Sequence, residues 1–146
     1  MLGIVITKEK LVTIIASLAL VLLIFIYFFS YFQKEIPASK YEIKNTDKER
    51  RGFIESYGYT LSPKKAETET FLVPYKFNNS FMQFEKLQNE MGLSLYPFKG
   101  MKLKKYTYLL SDTPDTVYAE LYIYKKYVAA GCIVNPDLKN GYIKSF

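Results

Sequence analysis

The chain has 146 residues, 49% of them hydrophobic, and a formal net charge of +6. It holds no histidine and a single cysteine, Cys132, which excludes an intramolecular disulfide and removes the commonest general base and metal ligand. The length leaves room for one modest core beside a long apolar run, and not for two cores.

That run, residues 11–32, reads LVTIIASLALVLLIFIYFFSYF and contains no charged residue. As a helix it rises about 33 Å at 1.5 Å per residue, enough to cross a hydrocarbon core of about 30 Å. Only Thr13 and Ser17 interrupt the apolar surface, and Tyr27, Phe28, Phe29, Tyr31 and Phe32 crowd its end in the manner of an interfacial belt. A cleaved signal peptide has a shorter apolar core and a small residue at the cleavage site, where Ile36-Pro37-Ala38 offers Ile36. The run is therefore expected to be an uncleaved anchor that crosses the membrane once. Lys8 and Lys10 before it are balanced by Lys34, Lys40 and Lys44 after it, so the positive-inside rule is nearly tied. A short head before one span is the usual layout of a signal anchor. The expected topology is a cytoplasmic head (residues 1–10), a transmembrane helix (11–32), a linker (33–45) and an extracytoplasmic domain (46–146) in the cell membrane. Lys8, Glu9 and Lys10 set aside, the rest of the chain keeps a net charge of +5. That favours anionic surfaces such as lipid headgroups or acidic envelope polymers.

Residues 33–45 are polar, contain Pro37 and show no periodicity, as a linker does. Thr46-Asp47-Lys48-Glu49 has the form of a capping box and predicts a helix start. Phe53, Ile54 and Tyr57 recur at helical spacing, Gly58 suits the left-handed closing position, and Lys48, Arg50 and Arg51 fall on the opposite, solvated side. Residues 59–61 and 67–73 are strand-like around Ser62-Pro63, the second suited to a sheet edge because Pro74 ends it. Asn79 or Ser80 then caps a second helix whose inner face runs Phe81, Phe84, Leu87, Gln88 and Met91 before Gly92.

Residues 101–110, 116–124 and 127–134 predict three strands of an antiparallel meander. The fold class is α+β, with two helices against this sheet. Pairing Leu110 with Thr116 and Tyr124 with Tyr127 gives an inner face of Met101, Leu103, Thr107, Leu109, Val117, Ala119, Leu121, Ile123, Val128, Ala130, Cys132 and Val134, with Lys105 the misfit. Lys102, Lys104, Tyr106, Tyr108, Tyr118, Glu120, Tyr122, Tyr124 and Tyr127 then share the outer face. They form a tyrosine-rich and basic candidate surface for an envelope protein or anionic envelope polymer. Tyrosine is also an ordinary strand residue on a half-exposed face, and strand preference alone is the favoured explanation.

The order of these pieces resembles the bacterial domain of unknown function 4830 family. The segments that carry the resemblance are Arg51-Gly52-Phe53-Ile54, Tyr57-Gly58-Tyr59, residues 87–95, Phe98-Lys99-Gly100, Lys105-Tyr106-Thr107-Tyr108, Leu121-Tyr122-Ile123-Tyr124 and Val128-Ala129-Ala130-Gly131. It covers residues 48–146, with departures from the family pattern at Ala130 and Cys132. The resemblance implies a small extracytoplasmic domain behind a membrane or lipoprotein anchor in Gram-positive bacteria, and no chemistry.

No phosphate loop, dinucleotide fingerprint, nucleophile elbow or cysteine-metal spacing occurs, so no catalytic, cofactor-binding or metal residues are assigned. Asp112 and Asp115 are explained by turn chemistry, and the extracytoplasmic address argues against nucleic acid at Lys104 and Lys105. The expected function is a membrane-anchored, non-catalytic binding or assembly module. Its alternative is a small envelope enzyme using Glu120 as acid or base, which on a flat sheet would lack an enclosing pocket.

Overall fold

The computed structural model describes residues 7–32, 39–114 and 116–146. It divides into two units, residues 1–35 and 36–146. In the first, helix α1 (Lys8–Phe32) carries the apolar run, and among the described residues Lys8–Ser30 is the helix long and apolar enough to cross a membrane. Its two hydroxyls within the N-terminal half are satisfied by the helix itself: Thr13 Oγ1 donates to the Glu9 carbonyl at 2.9 Å and Ser17 Oγ to the Ile14 carbonyl at 2.8 Å. Hydrocarbon offers no hydrogen bonds, so such internal satisfaction suits a lipid-facing helix.

The second unit is α+β, a five-stranded antiparallel sheet with helices packed on it. Its elements are α2 (Asp47–Glu55), β1 (Glu67–Leu72), α3 (Asn79–Glu90), a 3-10 turn (Tyr96–Phe98), β2 (Lys102–Leu109), β3 (Tyr118–Tyr124), β4 (Tyr127–Asn135) and β5 (Tyr142–Lys144), with the strands in sequential order. Helix α2 starts where the capping signal lies, with Thr46 Oγ1 accepting from the Glu49 amide at 3.4 Å. The Thr46 amide turns back to the Lys44 carbonyl. Asn78, one residue before the expected cap, accepts from the Phe81 amide and starts α3. Gly58 and Gly92 adopt positive φ after their helices, where a side chain would strain the turn. β1 is an edge strand, and β5, unsignalled in the sequence, forms the other edge.

Of the linker expected over 33–45, residues 33–38 lie outside the described part, as does Asp115. Residues 39–45 belong to the domain rather than to a linker. The Tyr41 carbonyl accepts from the Val128 amide, the Ile43 amide donates to the Lys126 carbonyl, and Glu42 opposes Tyr127 along the edge of β4.

The arginines of α2 correct the expectation of a solvated face. Lys48 is exposed, but Arg50 is 9% exposed. Its Nε donates to the Tyr108 hydroxyl at 2.8 Å, its Nη1 donates to the Asn45 carbonyl and Oδ1, and its guanidinium lies 3.8 Å above the Tyr106 ring. Arg51 pairs with Asp47 at 2.8 Å and donates to the carbonyls of Ser62 and Lys64. The short α2 sits over a sheet face rich in tyrosine. Long, planar guanidinium groups reach rings, hydroxyls and carbonyls there that periodicity alone does not reveal.

The sheet register also departs from the expected one. Leu109 opposes Tyr118 and the Leu110 amide donates to the Val117 carbonyl, one residue away from the Leu110–Thr116 pairing. The β3–β4 pairing starts at Tyr124–Tyr127 as expected, then shifts between Tyr122 and Ile123 so that Ala129 is extra. A one-residue slip exchanges the faces of a strand. The expected inner face is thereby divided: Val117, Ala119, Leu121, Ile123 and Val128 pack with Ile54 of α2, whereas Leu103, Ala130 and Cys132 pack with Val73, Leu95 and Phe98 on the other side. Both faces are covered, so alternation no longer separates inside from outside. Gly131 makes a close approach necessary, because a side chain there would occupy the space of the Phe146 ring.

Candidate functional site

The nine residues of the expected tyrosine-rich face do not form one surface. Pairing of Tyr106 with Leu121 and of Lys104 with Ile123 puts Lys102, Lys104, Tyr106 and Tyr108 on the α2 side. Tyr118, Glu120, Tyr122, Tyr124 and Tyr127 point to the α3 side. Tyr108 is 1% exposed and Tyr122 7% exposed, so neither can anchor a partner from an open sheet. Lys102 and Lys104 are exposed, and Tyr106, Tyr118, Glu120, Tyr124 and Tyr127 are half-buried. The reason is the one-residue slip together with the cover of α2 on one face and of α3 and the 3-10 turn on the other.

On the α3 side the structure opens a groove of about 200 Å³ between the N-terminal half of α3 and the sheet. Phe71 of β1, Phe81 and Phe84 of α3, Tyr122 of β3 and Ile143 of β5 give it apolar walls, and Ser80, Glu120 and Cys132 add polar atoms. The rings are mutually fixed: Tyr122 meets Phe71 edge-on at 5.0 Å and Phe84 at 5.9 Å. Helix α3 is held at this distance by Glu85, which is 2% exposed. It accepts from the Leu95 amide at 2.8 Å and from the Ser94 hydroxyl, while Gln88 Oε1 accepts from the Gly131 amide at 2.8 Å.

The polar floor is a short network. Tyr122 donates its hydroxyl proton to Glu120 Oε2 at 2.7 Å, and Lys105 Nζ lies 3.4 Å from Glu120 Oε1 and 2.8 Å from Glu69 Oε2. Cys132 Sγ lies 4.0 Å from Glu120 Oε2, because Cys132 is the direct cross-strand partner of Glu120. Burial, then the charge of Glu120, pushes both the Tyr122 hydroxyl and the Cys132 thiol well above their ordinary ranges. Burial draws Lys105 down, but its bond to Glu69 and the charges of Glu120 and Glu69 outweigh this and hold it above its ordinary value. The tyrosine and thiol therefore keep their protons, the lysine its charge and a thiolate nucleophile is disfavoured. Glu120, paired with Lys105, gives the apolar cleft a polar floor.

Of the nine candidate residues, Glu120 and Tyr122 line this groove, and the groove supplies the enclosure that a flat sheet lacked. Phe71, Phe81 and Phe84 were not distinguishable from core residues by spacing. Glu120 and Tyr122, two residues apart on a strand, were legible as neighbours; Cys132 was not, because its opposition to Glu120 depends on the bulge at Ala129.

No family model, no curated protein and no solved structure matches the chain.

Proposed function

We propose that the chain is a membrane-anchored, non-catalytic binding or assembly module of the bacterial cell envelope. In this reading α1 spans the cell membrane once, the N-terminal head is cytoplasmic, and the α+β domain is extracytoplasmic. The extracytoplasmic address is taken from the resemblance of its motif order to the domain of unknown function 4830 family. The groove beneath α3 is its ligand site. The observation that carries this reading is the groove's chemistry: aromatic walls over a floor whose tyrosine and thiol hold their protons, suited to binding an apolar group through contact and a hydrogen-bond donor or cation through Glu120. Confinement to the membrane surface raises the effective concentration of the site toward envelope partners.

A photoreactive residue at Phe81 of the full-length protein in its native membrane should crosslink to a discrete partner, and one at exposed Glu67 should not. Equal labelling from both positions would remove the groove as the site. Protease added to intact cells should digest the domain; protection would reverse the topology. The enzyme reading gains from the position of Glu120 in the groove. It would prevail if Glu120→Gln preserved folding and the crosslink yet reproduced the phenotype of a deletion.

A further inference from the structure

One end of the sheet differs in charge from the rest of the domain. There the end of β1 meets the start of β2, with Leu72 opposite Lys102, the Val73 amide donating to the Met101 carbonyl and the Gly100 amide to the Val73 carbonyl. The antiparallel course of β2 and β3 brings the Lys125-Lys126 turn to the same end, and Phe98 packs on Tyr124 at 5.9 Å to join the two. No aspartate or glutamate occurs in residues 70–84, 91–111 or 121–136, the segments that build this end. Lys99, Lys102, Lys125 and Lys126 crown it, and among the described residues Glu42 brings a carboxylate to it, 2.7 Å from Lys126. The opposite end mixes signs, with Lys64, Lys65 and Lys139 among Glu67, Asp112 and Asp137.

Large apolar groups are exposed among the lysines. Tyr75 is 78% exposed, Leu72 57% and Tyr96 48%. Tyr75 packs against Gly100, where a side chain would take the space of its ring, and Lys99 Nζ lies 4.1 Å from the Tyr96 ring centroid. Lys125 holds a positive φ of 55° at the tip of its turn, a conformation that glycine or asparagine adopts with less strain. Exposed aromatic rings beside a cluster of ammonium groups are the composition of a headgroup-level surface, in which rings enter the interface and lysines answer lipid phosphates. Residues 33–38 are the whole connection between α1 and Ser39, and at about 3.3–3.6 Å per residue they reach at most about 25 Å.

We propose that this cationic, aromatic end of the domain docks on the anionic lipid headgroups of the membrane in which α1 is anchored. The proposal rests on the spanning role of α1. Docking leaves the mixed-charge end directed away from the bilayer and orients the groove beneath α3 with respect to the membrane surface.

The test uses the full-length protein in lipid nanodiscs doped with a gadolinium-chelating lipid, read by paramagnetic relaxation of backbone amides. With anionic lipid present, relaxation at Lys99, Gly100, Lys125 and Lys126 should exceed that at Asp137 to Asn140 several-fold. Replacing the anionic lipid by a zwitterionic one should abolish the difference. Lys99→Gln, Lys102→Gln and Lys125→Gln together should lower the docked-to-free ratio roughly fivefold per lysine, on the order of 100-fold in all. Lys64→Gln, Lys65→Gln and Lys139→Gln should leave it unchanged. Equal relaxation at both ends in anionic nanodiscs would overturn the proposal. So would a response of the same amides to a soluble polyanion without any to lipid, which would assign the surface to an acidic polymer. Failure of the protein to remain in the nanodisc would instead refute the spanning role of α1.

Discussion

Replacing Arg50 by alanine should lower the stability of the domain by about 3 kcal/mol. The side chain is nearly buried and joins four groups: the Tyr108 hydroxyl, the Asn45 carbonyl and amide oxygen, and the carboxylate of Asp47 at 3.6 Å. Truncation removes these charge-assisted bonds together with the stacking on Tyr106, and leaves a buried hydroxyl with one partner fewer. Burial already pushes the Tyr108 hydroxyl up to about 12, so it stays a proton donor to Asp47 and cannot replace the lost cation. At roughly 4–8 °C per kcal/mol for a domain of this size, the thermal midpoint followed by circular dichroism should fall by about 15 °C. Arg50→Lys should recover part of this, because an ammonium keeps the charge but neither the fork nor the planar face. A midpoint within 3 °C or so of the parent would show that the network contributes little.

The same network gives stability a pH dependence on the acid side. Partial burial raises the Asp47 carboxyl, but hydrogen bonds from Arg51 and Tyr108 and the charges of Arg51 and Arg50 outweigh this and hold it below its ordinary value of 3.8. A carboxyl lowered on folding adds stability above its unfolded value and loses it as pH falls through the folded one. The stability gap between the parent and Asp47→Asn should therefore be widest near neutral pH and close as pH drops below 3.8. A gap that persisted unchanged in acid would exclude this origin.

Glu85→Ala should be comparably severe, again about 3 kcal/mol. The carboxylate satisfies the buried Leu95 amide and the Ser94 hydroxyl, and alanine would leave that amide unpaired inside a packed core. The consequence extends to the groove, since the same bonds hold α3 to the turn that carries Phe98. Urea unfolding should show the loss, and crosslinking from position 81 should weaken under conditions where the domain is still folded. Glu85→Gln, which can accept from Leu95 and donate to Ser94, should restore most of both. If the alanine variant unfolded like the parent, α3 would be held by its apolar contacts alone.

Elements governed by contiguous residues were readable from the chain. The apolar run, the Thr46 cap, Gly58 and Gly92, the edge position of β1 and the two-residue turn at Lys125-Lys126 each depend on neighbours in sequence, and each appears where its signal lies. The Asn78 cap is displaced by one residue because Asn78, Asn79 and Ser80 are all competent caps. β5 gave no signal, being three residues long and lacking alternation.

The candidate site was less legible, for a different reason. The expected binding face required a register, and two alternating strands can pair one residue apart with little change in composition on either side. Which pairing forms depends on what covers each face: Ile54 and Arg50 from α2 on one side, Phe84 and Phe98 on the other. With both faces covered, tyrosines that suggest an open surface become core residues, as at Tyr108 and Tyr122, and Glu120 comes to line a groove.

The sequence by itself determined that this chain carries a membrane-length apolar helix ahead of a single α+β domain, because length, charge and local capping are properties of contiguous residues. Only the tertiary structure decided which side chains meet, through a one-residue slip and a bulge at Ala129 that exchange strand faces. That exchange divides one imagined tyrosine surface into a buried arginine network on one side and an aromatic groove with a polar floor on the other.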